Sequence, residues 1–174
     1  MSQAQRIFEY LDELGIRYEY VTHAPARTMA DCAQNDARLH ALTPKNLFLT
    51  TKSRRRHYLC LTRPEARFVT SDVSRQAGSP RLSFAPEDAL WDMLRCRPGS
   101  ASPLGLIFDI DRRVRLLVDA ALKDAPALGF HPCDNTMTLV MSGEDFFQTF
   151  LPSVSVTPQF IETDPSGLYS NTEV

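Results

Sequence analysis

The stretch Pro44-Lys45-Asn46-Leu47-Phe48-Leu49-Thr50-Thr51-Lys52-Ser53-Arg54-Arg55-Arg56-His57-Tyr58-Leu59-Cys60-Leu61-Thr62 contains two apolar, β-favouring runs, residues 47–51 and 58–62. Leucine, phenylalanine, tyrosine and threonine suit a pleated, buried surface. The segment between the runs is polar, basic and too short to be an element of its own, so it closes a turn. The pattern predicts an antiparallel hairpin in a central sheet, with Lys52, Arg54, Arg55 and Arg56 at its tip. Those cations are either a solvated turn or a contact for nucleic-acid phosphates. The chain's net charge of −2 offers no global attraction for nucleic acid, so any such contact has to be local.

Upstream of the hairpin, Ile7, Leu11 and Leu14 recur at helical spacing before Gly15, which predicts a helix over residues 3–14. Tyr18 to Val21 reads as a short strand ending at His23, with Pro25 leading the chain out of the sheet. Thr28-Met29-Ala30-Asp31 has the form of a helix start, and the helix it opens should end before Leu42. Downstream, Pro86-Glu87-Asp88 opens a helix with Leu90, Met93 and Leu94 on its buried face and Trp91 at its edge. Residues 104–108, 114–118 and 136–141 read as strands, with Arg112-Arg113 as the turn between the first two. Ser142-Gly143-Glu144-Asp145 starts a last helix through Phe146, Phe147 and Phe150.

Helices interspersed with antiparallel strands indicate the α+β class: one domain, with a mixed, mainly antiparallel sheet and helices packed around it. A length of 174 residues and 43% hydrophobic content suit a single core. The expected domain is 1–151, and the proline-broken, aperiodic stretch 152–174 is expected to be a loosely attached tail. No apolar run approaches the ~18 residues needed to span a bilayer, and the first residues lack the layout of a signal peptide, so a cytoplasmic protein is expected.

Four scattered cysteines, Cys32, Cys60, Cys96 and Cys133, include no Cys-x-x-Cys pair, and no metal-ligand spacing is present. There is no Gly-x-Ser-x-Gly elbow, no phosphate-binding glycine-lysine loop and no His-Glu-x-x-His. What remains is a lysine, a glycine loop and a histidine. Lys45 precedes an apolar strand, which sets its ammonium at the strand mouth. Gly99-Ser100-Ala101-Ser102-Pro103 has only small side chains, so a ligand can approach its amides, which suit a developing oxyanion. His131 lies between an apolar run and Pro132, as a core histidine or one facing a cleft.

Taken in order, Thr22-His23-Ala24-Pro25, the segment 44–49, Gly99-Ser100-Ala101-Ser102-Pro103-Leu104-Gly105 and Phe130-His131-Pro132-Cys133-Asp134-Asn135-Thr136 resemble the YbaK/ProX family of aminoacyl-tRNA deacylases. These are free-standing relatives of the editing domain inserted in some prolyl-tRNA synthetases, and the resemblance covers roughly residues 1–151. It implies the editing-domain fold and a trans-acting hydrolase of mischarged tRNA(Pro), with Ala-tRNA(Pro) as the expected substrate and Cys-tRNA(Pro) as the alternative. A non-catalytic module that binds tRNA or a synthetase is the rival reading, and a small-molecule aminoacyl-ester hydrolase is a third.

The resemblance assigns Lys45 to positioning the 3′-terminal adenosine and its phosphate, and Gly99, Ser100 and Ala101 to the oxyanion. Asn46, Ser102, Pro103, His131 and His23 become substrate contacts, and Lys52, Arg54, Arg55 and Arg56 become tRNA contacts. It implies no metal or organic cofactor, and an attacking water assisted by the substrate's own ribose hydroxyl. The implied partner is the acceptor end of tRNA(Pro), with prolyl-tRNA synthetase as a further one and neither DNA nor membrane. One departure is Phe108 before Asp109, where relatives often carry asparagine. Cys133 and Asp134 receive no role.

Overall fold

The computed structural model describes residues 1–25 and 39–163. The Ser2 hydroxyl accepts from the Gln5 N–H while Gln5 Oε1 accepts from the Ser2 N–H, a reciprocal cap that starts α1 (Gln3–Glu13). Ile7 and Leu11 of α1 are fully buried, as their spacing predicts. The helix expected to begin at Thr28 lies outside the described residues.

The hairpin forms as β2 (Lys45–Thr51) and β3 (His57–Thr62), antiparallel, with Lys45 opposite Thr62 and Thr50 opposite His57. Around it the expected single sheet is two. One has five strands in the order β4-β2-β3-β5-β8, where β4 is Leu82–Phe84, β5 is Val114–Asp119 and β8 is Gln159–Ile161. The other has three antiparallel strands in the order β1-β7-β6: β1 (Tyr18–Thr22), β7 (Met137–Ser142) and β6 (Ala127–Phe130). Alternation along β2 and β3 divides the interior in two. Phe48, Leu59 and Leu61 face the main core, with Leu94, Leu104, Phe130 and Phe146, while Leu49, Tyr58 and Cys60 face a smaller core with Val73 and Ile161.

Three expectations are corrected. Residues 104–108 are not a strand: Pro103–Phe108 is a 3-10 helix, with Pro103 in its first turn and Ser102 Oγ accepting from the Leu104 N–H. A short buried apolar run does not distinguish strand from helix, and proline favours the helical start. Consequently Arg112-Arg113 does not join a hairpin. Asp109 accepts from the N–H groups of Arg113 and Val114, and β5 leaves that turn to run parallel to β3.

Nor is the stretch after residue 151 a loose tail as far as residue 163. Val154 and Ile161 are buried, and β8 adds a parallel strand beside β5. Its register to β5 supplies the order that its polar, proline-broken sequence lacks. The last helical segment does start at Ser142, whose Oγ accepts from the Asp145 N–H, and is π-wound over Asp145–Phe150 before an α-helical turn at Leu151–Ser153. Two elements went unpredicted before β5: α2 (Thr70–Gln76) and β4. The Pro86 helix, α3 (Glu87–Leu94), takes Pro86 as its N-cap. Among the described residues no helix is long and apolar enough to cross a membrane.

A partly buried ion pair holds β8 and its flank to the hairpin. Arg63 Nε donates to Asp119 Oδ2 at 2.8 Å, Thr163 Oγ1 donates to the same oxygen, and Arg63 Nη2 donates to the Thr163 carbonyl at 2.6 Å. Burial pushes the Asp119 carboxyl up, but the hydrogen bonds from Thr163, Arg63 and the Ala121 N–H outweigh it and hold the group below its ordinary value. A carboxylate depressed in the folded state stabilises above its unfolded pKa of ~3.9 and loses that contribution as pH falls through the lower folded value. Asp119→Ala should therefore cost about 2–4 kcal/mol at pH 7 by urea denaturation, and the gap between variant and wild type should narrow below pH ~4.

Candidate functional site

Lys45 and Asn46 are consecutive at the mouth of β2, so their side chains leave opposite faces of the sheet. Lys45 shares a face with Leu47 and Leu49, and its Nζ donates to the Ala66 carbonyl at 2.6 Å. Asn46 shares the main-core face with Phe48. Its Nδ2 donates to the Pro44 carbonyl at 3.2 Å, whereas its Oδ1 is buried with no hydrogen-bond partner among the described residues. A buried carbonyl oxygen left so costs about 1–3 kcal/mol, which marks it as an acceptor awaiting a donor.

The glycine loop follows α3. Arg95 caps that helix in the left-handed region, and Gly99 takes φ +84°, which favours glycine. Ser100 locks the turn: its N–H and its Oγ both bond to the Arg97 carbonyl, and Oγ accepts from the Arg97 N–H. The Ser100 amide expected to face an oxyanion is therefore engaged within the turn, and the hydroxyl of Ser102 is engaged as the 3-10 cap. Pro103 is buried behind it, and Ala101 packs on the main core. At the far end Gly105 presses on α3, since a Cβ there would lie 2.5 Å from the Leu94 carbonyl oxygen.

The third segment meets this loop. A Cβ at Gly99 would sit 3.6 Å from Asn135 Nδ2, and Cys133 Sγ touches Cys96 Sγ. His131 is nearly buried and its Nδ1 bonds to the Met137 carbonyl at 2.7 Å. His23 Nε2 bonds to Thr138 Oγ1 at 2.9 Å, and the two imidazoles stand 6.0 Å apart. Lys45 reaches the same end by the backbone: Leu42 forms a parallel bridge to Leu128, and Gly129 makes room for Thr43. From that bridge Lys45 and His131 are each three residues further on. The structure thus brings His23 to His131 and the glycine loop to Asn135, while Leu42 and Thr43, just before Lys45 and Asn46, lie against Leu128 and Gly129.

The basic tip falls elsewhere. Lys52, Arg54, Arg55 and Arg56 are exposed at the other end of β2, about 20 Å from Lys45 at ~3.3 Å per residue. Between the two lies a feature that no sequence pattern announced, a groove of about 680 Å³ lined by Arg67, Phe68, Thr70, Arg75 and Arg81. Its head is beside Lys45, because Arg67 follows the Ala66 carbonyl that holds the lysine. Its foot is near the hairpin tip, because Arg81 precedes Leu82, the partner of Thr51. Three arginines separated by 8 and 6 positions form no run, so only folding assembles them. Phe108 lies on the α1 side, where the Arg6 guanidinium sits 5.3 Å over its ring. Among the described residues no group of three or more His, Cys, Asp or Glu side chains is placed to hold a metal ion.

The model of the aminoacyl-tRNA editing domain matches residues 23–149, a span that holds all these segments. The chain belongs to the aminoacyl-tRNA editing domain family. It is 33% identical over 145 residues to the prolyl-tRNA editing protein ProX of Acetoanaerobium sticklandii, covering 83% of this chain and 88% of that one. It is 30% identical over 158 residues to the prolyl-tRNA synthetase associated domain-containing protein 1 of Danio rerio, covering 90% and 85%. The crystal structure of a candidate trans-editing enzyme for prolyl tRNA synthetase superposes with a TM-score of 0.71 at 16% identity, over 94% of this chain and 98% of that one, so the editing-domain fold is shared.

In this editing domain the two loop glycines should respond differently to alanine. Gly99→Ala makes only an ordinary contact, 3.6 Å to Asn135 Nδ2, and pays chiefly for its left-handed backbone, about 1–2 kcal/mol. Gly105→Ala drives a methyl onto a backbone carbonyl and should cost more than Gly99→Ala in the same urea titration, with the loop's attachment to α3 weakened.

Proposed function

We propose that the protein is a trans-editing hydrolase that cleaves the aminoacyl ester of mischarged tRNA(Pro), with alanine as the group removed and cysteine as the alternative. The observation that carries this reading is the division at the mouth of β2. Lys45 presents a cation on the face that continues into the arginine groove, and Asn46 presents an unsatisfied acceptor on the face of the glycine loop. A tRNA 3′ end needs both, since phosphates must meet cations while the ester meets hydrogen-bonding groups a few ångströms away.

On this reading the terminal phosphate leaves Ala66 its carbonyl and takes the Lys45 ammonium, which fixes the 3′ adenosine. The preceding backbone follows Arg67 and Arg81 towards Lys52, Arg54, Arg55 and Arg56, so groove and tip form one basic track. The ester lies against Gly99 and Ala101, whose amides make no hydrogen bond among the described residues and would serve the oxyanion. Ser100 and Ser102 act by holding the loop's shape, and Pro103 by seating it. His131 and His23 line the aminoacyl side, with Asn46 Oδ1 accepting from the substrate. Catalysis is then positioning and charge stabilisation around a water helped by the ribose hydroxyl. An editing site is needed because a pocket built for proline discriminates by only ~1–3 kcal/mol per methylene against a smaller residue. Prolyl-tRNA synthetase, which makes the error, is the natural partner.

The test compares hydrolysis of Ala-, Cys- and Pro-tRNA(Pro) by wild type and Lys45→Ala. Rapid loss of alanine, reduced roughly 10²–10³-fold in the variant with stability changed by less than about 1 kcal/mol, is the expected result. Turnover unchanged in folded Lys45→Ala removes the lysine from the mechanism, and tRNA binding without turnover of any ester identifies a non-catalytic module. Separately, replacing Arg67 and Arg81 by alanine should reduce the slope of log affinity against log salt for uncharged tRNA by about 1.4–1.8, at ~0.7–0.9 for each phosphate no longer neutralised. An unaltered slope would put the RNA off the track.

A further inference from the structure

Cys96 and Cys133 lie 37 positions apart in sequence, yet their sulfurs are 2.9 Å apart. Both also approach one acceptor, the Leu94 carbonyl oxygen at the end of α3, at 3.4 Å and 3.6 Å. Cys96 is fully buried, and Cys133 is partly accessible. Cys60, by contrast, is sealed in β3 on the smaller core, with burial pushing its thiol up to about 12, and faces no second sulfur among the described residues. The pair sits at a meaningful place. Cys96 is three residues before Gly99, and Cys133 is two after His131, so the sulfurs form a contact between the two walls of the site.

We propose that Cys96 and Cys133 are a reversible disulfide site, oxidised by hydrogen peroxide, whose bond braces the glycine loop against the His131 loop. The more accessible Cys133 sulfur attacks one peroxide oxygen, the O–O bond breaks, and the thiol proton leaves with the departing oxygen as water. The resulting sulfenic acid is attacked by Cys96, an S–S bond forms, and the second oxygen leaves as water with the Cys96 proton. Two thiols and one peroxide thus give one disulfide and two waters. The sulfurs need to close by only about 0.9 Å to reach the ~2.05 Å of a disulfide, so the walls are clamped where they already stand. Its hydrogen bonding with Cys96, together with burial, holds the Cys133 thiol well above its usual value, so the thiolate is scarce at neutral pH and oxidation should quicken as pH rises.

The proposal stands on this geometry whatever the substrate. The experiment treats the full-length protein with hydrogen peroxide, then applies intact mass and non-reducing peptide mapping, with thermal melting before and after. The expected product has lost two hydrogens, carries a Cys96–Cys133 peptide, melts roughly 5–15 °C higher, and returns to the starting mass and melting point with dithiothreitol. Cys133→Ser should abolish the linked peptide. Linkage through Cys32 or Cys60, over-oxidation of Cys133 without linkage, or a linked product that melts lower would each overturn it. Peptide mapping of the wild type decides the matter even if a serine variant fails to fold.

Discussion

Every residue of β3 is buried, and the strand is hydrogen-bonded on both edges, antiparallel to β2 and parallel to β5. It therefore has to satisfy two cores at once, with Leu59 and Leu61 in one and Tyr58 and Cys60 in the other. A slip of one residue would exchange these sets and place each against the wrong neighbours. With each large apolar side chain worth about 1.5–3 kcal/mol of burial, the register is strongly fixed. That register sets Lys45 against Thr62, and so decides which face of the sheet receives the lysine and which the asparagine.

The same alternation explains how a small domain keeps unlike chemistries apart. The cationic groove belongs to the face of the smaller core, where α2 and the approach to β4 supply Arg75 and Arg81. The hydrogen-bonding loops belong to the face of the main core, where the second sheet brings His131 and His23. One strand edge is the boundary. Asn46 carries the cost of standing there, an acceptor buried without a donor, and such local inconsistency is what a ligand site requires of an otherwise consistent fold.

Much of this architecture was legible. The hairpin, α1, α3, β5 and β7 follow from period and composition, and the segments that gather at the site are the ones whose order first suggested the family. The failures share a cause. Residues 104–108 are apolar enough for a strand, but Pro103, the Ser102 cap and the press of Gly105 on Leu94 decide for a 3-10 helix, and the last of these is a tertiary contact. β8 is three residues long and owes its order to β5 and to the Arg63, Asp119 and Thr163 contacts. The expected role of the Ser100 amide was displaced because the turn uses that N–H itself. The arginine groove was invisible because charge runs can be seen in a sequence, whereas charges assembled from a loop, a helix and a strand edge cannot.

The Leu94 carbonyl gives the clearest case of local structure setting site geometry. At the end of a helix a carbonyl has no amide above it and carries part of the macrodipole's negative charge. Arg95 in the left-handed region turns the chain away, so solvent and backbone amides are both excluded, and the oxygen is left to two thiols and to the bare face of Gly105. A sulfhydryl is a weak donor but a compliant one. It lets the glycine loop, the 3-10 helix and the His131 loop converge on one atom with none of them tightly bound to it. Oxidation of the pair would exchange those soft donors for a covalent strut and leave the carbonyl to the Gly105 contact alone. The joint between the walls would then change from yielding to stiff while its shape stayed nearly the same.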